Sequence, residues 1–292
     1  MEPVLLPLKQ DRPGFENFIG SWLIADRDRN LLIDVGPNNS IDQLISSLET
    51  RGVDRVDYIL LSHIHADHAG GLGRFLDYFP ESKIVCHEKG LPHLISPGRL
   101  EAASREVLGD LMDTYGPIRP VPQASLLSHK EAKVEGLTII ETPGHAAHHL
   151  SFLYRGHLFA GEAGGIFIEV NGTPYTRPAT PPVFFLEKYQ ESLKRLLAFE
   201  DQPLYYIHFG KASSSHEFLK RALDQLLLWE EVIGEEFRKG TEAFTEVCIN
   251  RLLEKDSCLA AFKDMAPWEK EREILFITHC IQGYVGYFSR NG

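Results

Sequence analysis

The sequence predicts a layered α/β fold, and three observations lead to this prediction. Short apolar runs alternate with amphipathic segments from the N-terminus to about Leu158. Hydrophobic residues make up 43% of the 292 residues and charged residues 24%, so the chain can bury a sizeable core. Apolar residues at helical spacing dominate the last part of the chain. Alternating strands and helices are typical of sheets that are covered by helices.

The first elements follow in the order strand, strand, helix, strand, helix, strand. The segments "FIGSWLIAD" and "NLLIDVG" predict a hairpin, and the charged stretch "DRDR" is its turn. "SIDQLISSLETRG" predicts a helix with Ser40 as N-cap and Gly52 at its end. "VDYILLS" and "KIVCHE" predict strands on either side of a helix near residues 73–79. "LTIIETPG", "HLSFLYRG" and "HLFAGE" continue the β series.

The second half of the chain is predicted to be mainly helical after one irregular segment. Residues 164–182 contain four prolines and show no helical period, which predicts an ordered surface loop. Helices are predicted near residues 186–199 and 213–233, with the short strand "LYYIH" between them. The helical pattern then continues to about Phe288.

Composition and charge exclude several kinds of partner. The formal net charge is −11 and no block of Lys or Arg stands out, so no nucleic acid is expected to bind. The four cysteines show no CxxC spacing and are predicted to be reduced thiols. No apolar stretch reaches the roughly 18 residues of a membrane span, and the N-terminal apolar run is too short for a signal peptide. We therefore expect a cytoplasmic protein that does not contact a membrane.

The stretch "LLSHIHADHAGG" combines three histidines and one aspartate directly after an apolar run. His63 and His65 are two residues apart and can point the same way, whereas Asp67 and His68 follow after a turn of loop. Imidazole and carboxylate groups together bind transition metals, and the arrangement suits two ions that each receive part of the cluster. A solvated histidine-rich loop is the alternative interpretation. A catalytic zinc commonly has three protein ligands, so a metal site needs further ligands from elsewhere.

Three later segments supply such ligands at predicted strand ends. His145 follows "ETPG", Glu162 follows "LFAG" and His208 follows "LYYI". Each comes after an apolar run and has a glycine next to it or, for His208, two residues later, where the backbone can approach a ligand closely. A solvated loop does not explain these additional residues, so the pattern favours a metal site.

The HxHxDH stretch, the GH after a TP turn, the acid after "LFAG" and the last histidine together resemble the metallo-β-lactamase superfamily. The resemblance extends from about Val4 to Gly210 and implies an αββα sandwich with two divalent transition-metal ions at one edge, zinc being favoured over iron or manganese. It implies one ion on His63, His65 and His145, a second on Asp67, His68 and His208, and Glu162 at the bridging acidic position. It also implies a catalytic role for Asp67.

The resemblance sets the predicted domains. Residues 1–212 are expected to form the catalytic domain, and residues 213–292 a helical extension that packs on or covers the site. Core packing is the simplest explanation of the apolar stripes of this extension, and a homodimer surface is the alternative.

Three positions either depart from the usual pattern of the family or indicate which of its branches the chain resembles. The family usually has Asp where this chain has Glu162, which is one methylene longer. Glu162 would bridge after a small backbone retreat, bind only one ion, or leave the second site weak. Superfamily members that reduce oxygen at a di-iron site typically carry Glu at the position of His65, so His65 favours hydrolysis. The related GHxxGH pattern of the glyoxalase II branch is matched only in part, because His148 replaces its glycine.

Residues near the predicted ligands are candidates for substrate contacts. Tyr175, Arg177 and Phe184 belong to the proline-containing segment that begins two residues after Glu162, and packing within that segment is the alternative role. His149 is predicted to contact substrate at the rim or to support a ligand. Asp34 is predicted either to orient a metal-binding histidine or to cap a turn.

The function that follows is a hydrolase in which a metal-activated hydroxide attacks a small ester, thioester or lactone. A mononuclear iron dioxygenase of thiols or persulfides, which would use only the first ligand set, is one alternative. A non-catalytic metal-binding scaffold whose helical extension docks a partner is the other.

Overall fold

The computed structural model describes residues 2–26 and 29–291, and the chain divides into two compact units. The first unit comprises Met1–Ile140 and Phe152–Arg155, and the second comprises Glu141–Ser151 and Gly156–Gly292. The mixed α/β class predicted from the sequence is confirmed.

The first unit contains a six-stranded sheet whose strands lie side by side in chain order. Its strands are β1 (Val4–Pro7), β2 (Gly20–Asp26), β3 (Arg29–Ile33), β4 (Tyr58–Leu60), β5 (Lys83–Cys86) and β6 (Leu126–Ser128). Strands β1, β2 and β3 pair antiparallel, and β3 to β6 pair parallel. Because parallel strands end at the same edge, the residues that follow β3 and β4 are brought close together. The predicted hairpin is β2–β3; residues 27 and 28 of its turn lie outside the described part of the chain.

The helices of the first unit are short, apart from two. They are α1 (Ile41–Glu49), α2 (Ala66–Ala69), α3 (Leu72–Phe75), α4 (Leu91–Ile95), α5 (Gly98–Leu108) and α6 (Leu111–Tyr115). Helix α1 begins after Ser40, as predicted, and buries its apolar residues at helical spacing: Ile41, Leu44, Ile45 and Leu48. The helix predicted near residues 73–79 is α3, which ends earlier, at Phe75.

The second sheet and a separate hairpin follow. The strands are β7 (Leu137–Glu141), β8 (Leu150–Tyr154), β9 (His157–Phe159), β10 (Ile166–Val170), β11 (Thr173–Arg177), β12 (Leu204–Tyr206) and β13 (Gly210–Ala212). Five of them form a sheet in the order β13, β12, β9, β8, β7. The boundary between the units passes through β7 and β8. Strands β9 and β12 pair parallel, so Gly161 and His208, which follow them, leave the sheet at the same edge.

The prediction of an ordered surface loop over residues 164–182 is wrong for residues 166–177. Strands β10 and β11 form an antiparallel hairpin that pairs Ile166 with Arg177. Its turn is Asn171–Gly172, and both residues have positive φ angles, of 51° and 79°. Asn-Gly between two extended runs is the strongest short signal for such a turn, and the prolines outweighed it in the prediction. The irregular chain starts only at Pro178.

Helices make up most of the remaining chain, as predicted. They are α7 (Leu186–Leu197), α8 (Ser215–Lys239), α9 (Phe244–Lys255) and α10 (Pro267–Asn291), with a 3-10 helix at Ser257–Asp264. Helix α8 begins at Ser214, whose hydroxyl accepts a hydrogen bond from the Glu217 amide, and it ends at Gly240 in the left-handed conformation. The Tyr284 hydroxyl of α10 donates to the Leu226 carbonyl of α8 over 2.8 Å. Among the described residues, no helix has both the length and the hydropathy that crossing a membrane requires.

All four cysteines are free, as predicted. Burial raises the pKa of the Cys86 thiol to about 12. This thiol therefore stays protonated at neutral pH and is a poor nucleophile.

A buried ion pair joins the hairpin to the last helix. The Arg177 guanidinium of β11 donates to Glu273 of α10 over 2.6 Å, and Arg272 donates to the other oxygen of the same carboxylate over 2.9 Å. Burial alone would raise the pKa of Glu273, but attraction by Arg177 and Arg272 and their hydrogen bonds lower it below its ordinary value. Glu273 is therefore ionised at neutral pH, and its stabilising effect is lost only as the pH falls through this lowered pKa.

Glu273→Gln is expected to lower the free energy of unfolding by about 3–5 kcal/mol, because two buried guanidinium groups lose their counter-charge. Urea denaturation measures this change. Asp77→Asn is the control, since it removes the carboxylate from the exposed pair with Arg119 and should shift the midpoint little. Equal shifts in the two variants would contradict the importance of the buried pair.

Candidate metal centre

The HxHxDH stretch places four polar side chains just after strand β4. The Nε2 atom of His63 lies 2.9 Å from Nδ1 of His65. The stretch continues into helix α2, which starts after His65 and carries Asp67 and His68. There the Nε2 atom of His68 lies 3.7 Å from Oδ2 of Asp67. Within the first unit the structure thus places His63 beside His65 and Asp67 beside His68, and the assignment of these pairs to two ions stays a prediction.

The carboxylate of Asp34 holds this cluster in place. Asp34 follows β3, is fully buried and has a φ angle of 54°, in the left-handed region that Asp tolerates better than most residues. Its Oδ1 accepts the Ser62 amide over 2.8 Å, and its Oδ2 accepts the Ser62 hydroxyl over 2.6 Å. Oδ2 also accepts Nδ1 of His68 over 2.8 Å. The prediction that Asp34 orients a histidine of the cluster is confirmed.

These hydrogen bonds determine which ring nitrogens face the cluster. Because the Ser62 hydroxyl donates to Asp34, it can only accept from Nδ1 of His63, which lies 3.0 Å away. His63 therefore carries a proton on Nδ1, as His68 does, and Nε2 is the nitrogen that each ring can offer to a metal ion. An imidazole whose far nitrogen donates to a fixed acceptor is typical of metal ligands. Ser62 was not predicted, and only its place beside His63 could have indicated it.

Close backbone contacts keep the stretch against β3 and α1. The amides of Val35 and Gly36 donate to the His68 carbonyl over 3.0 and 3.1 Å. A Cβ at Gly70 would lie 2.3 Å from the Ala66 carbonyl oxygen, and one at Gly71 would lie 2.3 Å from the Ile41 side chain. The two glycines that end the motif are thus required by packing.

The second unit brings together the three other predicted ligands. The Nε2 atom of His145 lies 2.9 Å from Oε2 of Glu162, and Nε2 of His208 lies 3.9 Å from Oε1. The two oxygens of this carboxylate therefore face different histidines. The hairpin β10–β11 supports this arrangement, since the Phe167 amide donates to the His208 carbonyl over 2.6 Å.

His145 is fixed by a backbone carbonyl instead of a carboxylate. Its Nδ1 donates to the Ala179 carbonyl over 2.9 Å, which leaves Nε2 to face Glu162. Gly144 precedes it with a φ angle of 156°, and a Cβ at that position would lie 2.5 Å from the Tyr189 backbone. The glycine of the predicted GH turn is thus required by this close approach.

His149 supports Glu162 through a chain of hydroxyl groups. The Ser151 hydroxyl donates to the Ala160 carbonyl over 3.0 Å, so it accepts from the Thr142 hydroxyl at 2.9 Å. Thr142 in turn accepts from Nδ1 of His149 over 2.8 Å. Nε2 of His149 is therefore unprotonated and accepts the Glu162 amide over 3.1 Å.

A tyrosine holds the other side of the Glu162 peptide. The Tyr189 hydroxyl donates to the Glu162 carbonyl. Burial, and then the nearby Glu162 carboxylate, raise the pKa of Tyr189 well above its ordinary value, so the phenol remains a donor. Neither Tyr189 nor Thr142 was predicted: Tyr189 adjoins no motif that indicates metal binding, and Thr142 belongs to the TP turn before His145, where a threonine does not by itself indicate a contact with His149.

The donor set and its spacing fit metal ions. Two ligands bound at about 2.1 Å in a tetrahedral site lie about 3.4 Å apart. The pairs in the first unit lie 2.9 and 3.7 Å apart, and the pairs in the second 2.9 and 3.9 Å apart. All of these side chains are among those whose nitrogen and oxygen atoms could hold a metal ion.

The residues predicted to contact substrate are all buried in the second unit. Tyr175 and Phe184 are fully buried, Arg177 is 3% exposed, and His149 is fully buried behind Glu162. Phe184 packs edge-on against Tyr284 at 4.9 Å, and Arg177 pairs with Glu273. These contacts anchor the segment to α10. A direct role in substrate binding stays a prediction for these four residues.

Comparison with known proteins identifies the family. The family model of the metallo-beta-lactamase superfamily matches residues 16–208. A metallo-beta-lactamase fold-containing protein of Sulfurisphaera tokodaii is 32% identical over 224 residues, which cover 72% of this chain and 79% of the relative. The crystal structure of an archaeal superfamily member from Sulfolobus tokodaii matches with a TM-score of 0.65 and 29% identity, over 77% of this chain and 86% of that one.

A characterised activity occurs among the more distant relatives. Hydroxyacylglutathione hydrolase of Aeromonas salmonicida is 28% identical over 198 residues, which cover 66% of this chain and 61% of that enzyme.

The chain belongs to the metallo-β-lactamase superfamily. The resemblance found in the sequence is thereby confirmed.

Asp34→Asn is expected to weaken metal binding about 10–100-fold, because the amide cannot accept all three hydrogen bonds from Ser62 and His68. Asn suits the left-handed backbone, so the variant isolates the loss of the carboxylate. Competition with a chromophoric chelator measures the affinity. Asp57→Asn is the control, since Asp57 accepts a backbone amide of Asn30 remote from the motif. Unchanged affinity in Asp34→Asn would show that the carboxylate does not position the ligands.

Proposed function

We propose that the protein is a metal-dependent hydrolase with two bound divalent transition-metal ions, of which zinc is favoured. Membership of a superfamily of metallo-hydrolases supports the class of reaction. The observation that carries the proposal is the position of Glu162, whose two carboxylate oxygens face different histidines. A carboxylate in this position can bridge two ions.

The proposed ligand sets are those implied by the family pattern. His63, His65 and His145 bind one ion, Asp67, His68 and His208 bind the other, and Glu162 contributes one oxygen to each. The tautomers support this assignment for His63, His68 and His145, because each donates through Nδ1 to a fixed acceptor and presents Nε2. When bound, the ions would lower the pKa of a water molecule to about 7 and so supply hydroxide at neutral pH.

The side chains divide the remaining work. Asp34, Ser62 and His149 hydrogen-bond to the proposed ligands His68, His63 and Glu162, and we propose that they keep the ring and carboxylate orientations unchanged through the reaction. The Asp67 side chain is 17% exposed, more than that of His68 or Glu162. Its carboxylate is the one we propose to accept a proton from the attacking water and to pass that proton to the leaving group.

The proposed substrate is a small molecule with an ester, thioester or lactone bond. The relationship to hydroxyacylglutathione hydrolase supports a thioester within this class. His65 supports hydrolysis over oxygen reduction, because superfamily members that reduce oxygen at a di-iron site typically carry Glu at this position. The net charge of −11 disfavours a nucleic acid substrate. The four free cysteines suit the reducing cytoplasm, where we propose that the protein acts.

The purified protein is expected to contain two metal ions and to hydrolyse at least one member of a panel of esters, thioesters, lactones and phosphodiesters. His63→Ala and His145→Ala should each deplete one ion and abolish the activity, because each removes a ligand. Elemental analysis and the same panel measure both effects. His93→Ala, which removes an exposed imidazole from α4, is the control and should keep metal and activity.

Two results would contradict this function. Full metal content and activity in His145→Ala would show that the ligand assignment is wrong. One iron per chain with oxygen-dependent turnover of a thiol would establish the mononuclear dioxygenase in its place.

Glu162→Ala is expected to lose one ion preferentially, because the shared carboxylate disappears. Glu162→Asp should bind the same ion more weakly than the native protein does. The peptide at this position is held at its amide by His149 and at its carbonyl by Tyr189, so a shorter side chain cannot be compensated by backbone movement. Titration of the metal-free proteins measures the two affinities. Native affinity for both ions in Glu162→Ala would show that Glu162 does not bridge.

A further inference from the structure

We propose that the C-terminal helix α10 is part of the metal-binding apparatus, because it holds the carbonyl that orients His145. We assign this role to Gly283 and Thr180, which are positioning residues for that carbonyl. The inference rests on the proposed function in taking His145 as a ligand. It assigns to the helical extension a role in ligand geometry, beyond covering the site or packing.

The coupling begins at the Ala179 carbonyl, which accepts Nδ1 of His145 over 2.9 Å. Ala179 lies in the segment Pro178–Pro182, called here the proline segment, which follows β11 without regular structure. Backbone of this kind has no ladder of hydrogen bonds to hold it. Its position must therefore come from the groups that it contacts. Tyr189 of α7 contacts the Ala179 backbone, Arg177 donates to the Pro178 carbonyl over 3.3 Å, and the remaining contacts come from one further element.

That element is α10, which contacts the proline segment through its backbone. A Cβ at Gly283 would lie 2.2 Å from the Thr180 carbonyl oxygen and 2.5 Å from that of Pro181. A Cβ at Gly286 would lie 2.8 Å from the Pro182 carbonyl oxygen. Glycine inside a helix lowers its stability relative to alanine, so two glycines facing this segment have a packing reason.

Two hydrogen bonds complete the attachment. The Thr180 hydroxyl donates to the Cys280 carbonyl over 3.3 Å, and the Cys280 thiol donates to the Pro178 carbonyl over 3.3 Å. Both ends of the peptide stretch around Ala179 are thus tied to one turn of α10. The buried pair of Arg177 with Glu273 ties the preceding strand to the same helix.

The consequence for His145 follows from its tautomer. Nδ1–H of the ring donates to the Ala179 carbonyl, and Nε2 lies 2.9 Å from Oε2 of Glu162. Displacement of Ala179 by a few tenths of an ångström weakens this bond, and the imidazole then loses both a fixed orientation and a fixed tautomer. Helix α10 therefore affects the orientation of His145 through the Ala179 carbonyl.

The test compares Gly283→Ala with a variant of matched packing loss. Gly283→Ala pushes Thr180 and Ala179 away and should weaken the ion bound with His145 about 10–100-fold. Leu252→Ala truncates a fully buried side chain of α9 and destabilises the unit at a helix other than α10. It should lower the unfolding midpoint and leave both metal affinities at the native values.

A second pair of variants avoids the steric change. Thr180→Val keeps the shape of the side chain and removes the donor to Cys280, so it should weaken the same ion several-fold. Thr180→Ser retains the hydroxyl and should restore native affinity. If Gly283→Ala fails to fold, this pair decides the question.

The measurements separate this inference from the proposed function. Chelator competition gives the affinities, and long-range ¹H–¹⁵N spectra of the metal-free proteins give the tautomer of His145. We expect Nδ1–H in the native protein and a mixture of tautomers in Gly283→Ala and Thr180→Val. Native spectra and affinities in folded Gly283→Ala and Thr180→Val would overturn the inference. Failure of the native protein to bind ions, with these spectral changes present, would contradict the proposed function and leave the coupling established.

Discussion

The buried carboxylate of Asp34 is the interaction on which the first half of the candidate centre depends. It accepts the Ser62 amide, the Ser62 hydroxyl and Nδ1 of His68, and through Ser62 it also determines the tautomer of His63. A single charge at the end of β3 thus orients two imidazoles that follow β4. The parallel pairing of these two strands is what makes this possible, since it brings their ends to the same edge of the sheet. Burying this carboxylate is costly unless its oxygens are hydrogen-bonded, and here three donors offset the cost.

In the second unit, neutral groups orient the histidine rings. His145 donates to a backbone carbonyl, and His149 is held by a chain of hydroxyls that ends at the Ala160 carbonyl. Every proton in that chain has a defined direction, because the last acceptor is a carbonyl that cannot donate. The protein therefore controls ring nitrogens by the position of acceptors, whether these are carboxylates or peptide oxygens. Neutral acceptors make the geometry more sensitive to small backbone shifts than a carboxylate does, since the bonds they form are weaker.

The metal-binding side chains of this centre are easier to predict from the sequence than the groups that hold these side chains in position. His63, Glu162 and His208 could be predicted because each follows an apolar run and adjoins a turn. The hairpin at Asn171–Gly172 can also be predicted from its Asn-Gly turn, but the neighbouring prolines favour a loop. The Ala179 carbonyl could not be predicted, because every residue has a carbonyl and only the packed structure selects one. The same limit applies to Thr142, whose hydroxyl matters only because β7 and the following turn bring it to His149.

Glutamate in place of the usual aspartate becomes intelligible from the same contacts. The Glu162 peptide is held on one side by His149 and on the other by Tyr189, so its Cα cannot move toward the histidines. The side chain must therefore be long enough to reach both of them, and the carboxylate does reach His145 and His208 with separate oxygens. An aspartate would meet both only if the peptide advanced and broke the two bonds that hold it. The residue at this position and the residues behind it are thus mutually dependent, and in this chain the longer acid is the one that matches its supports.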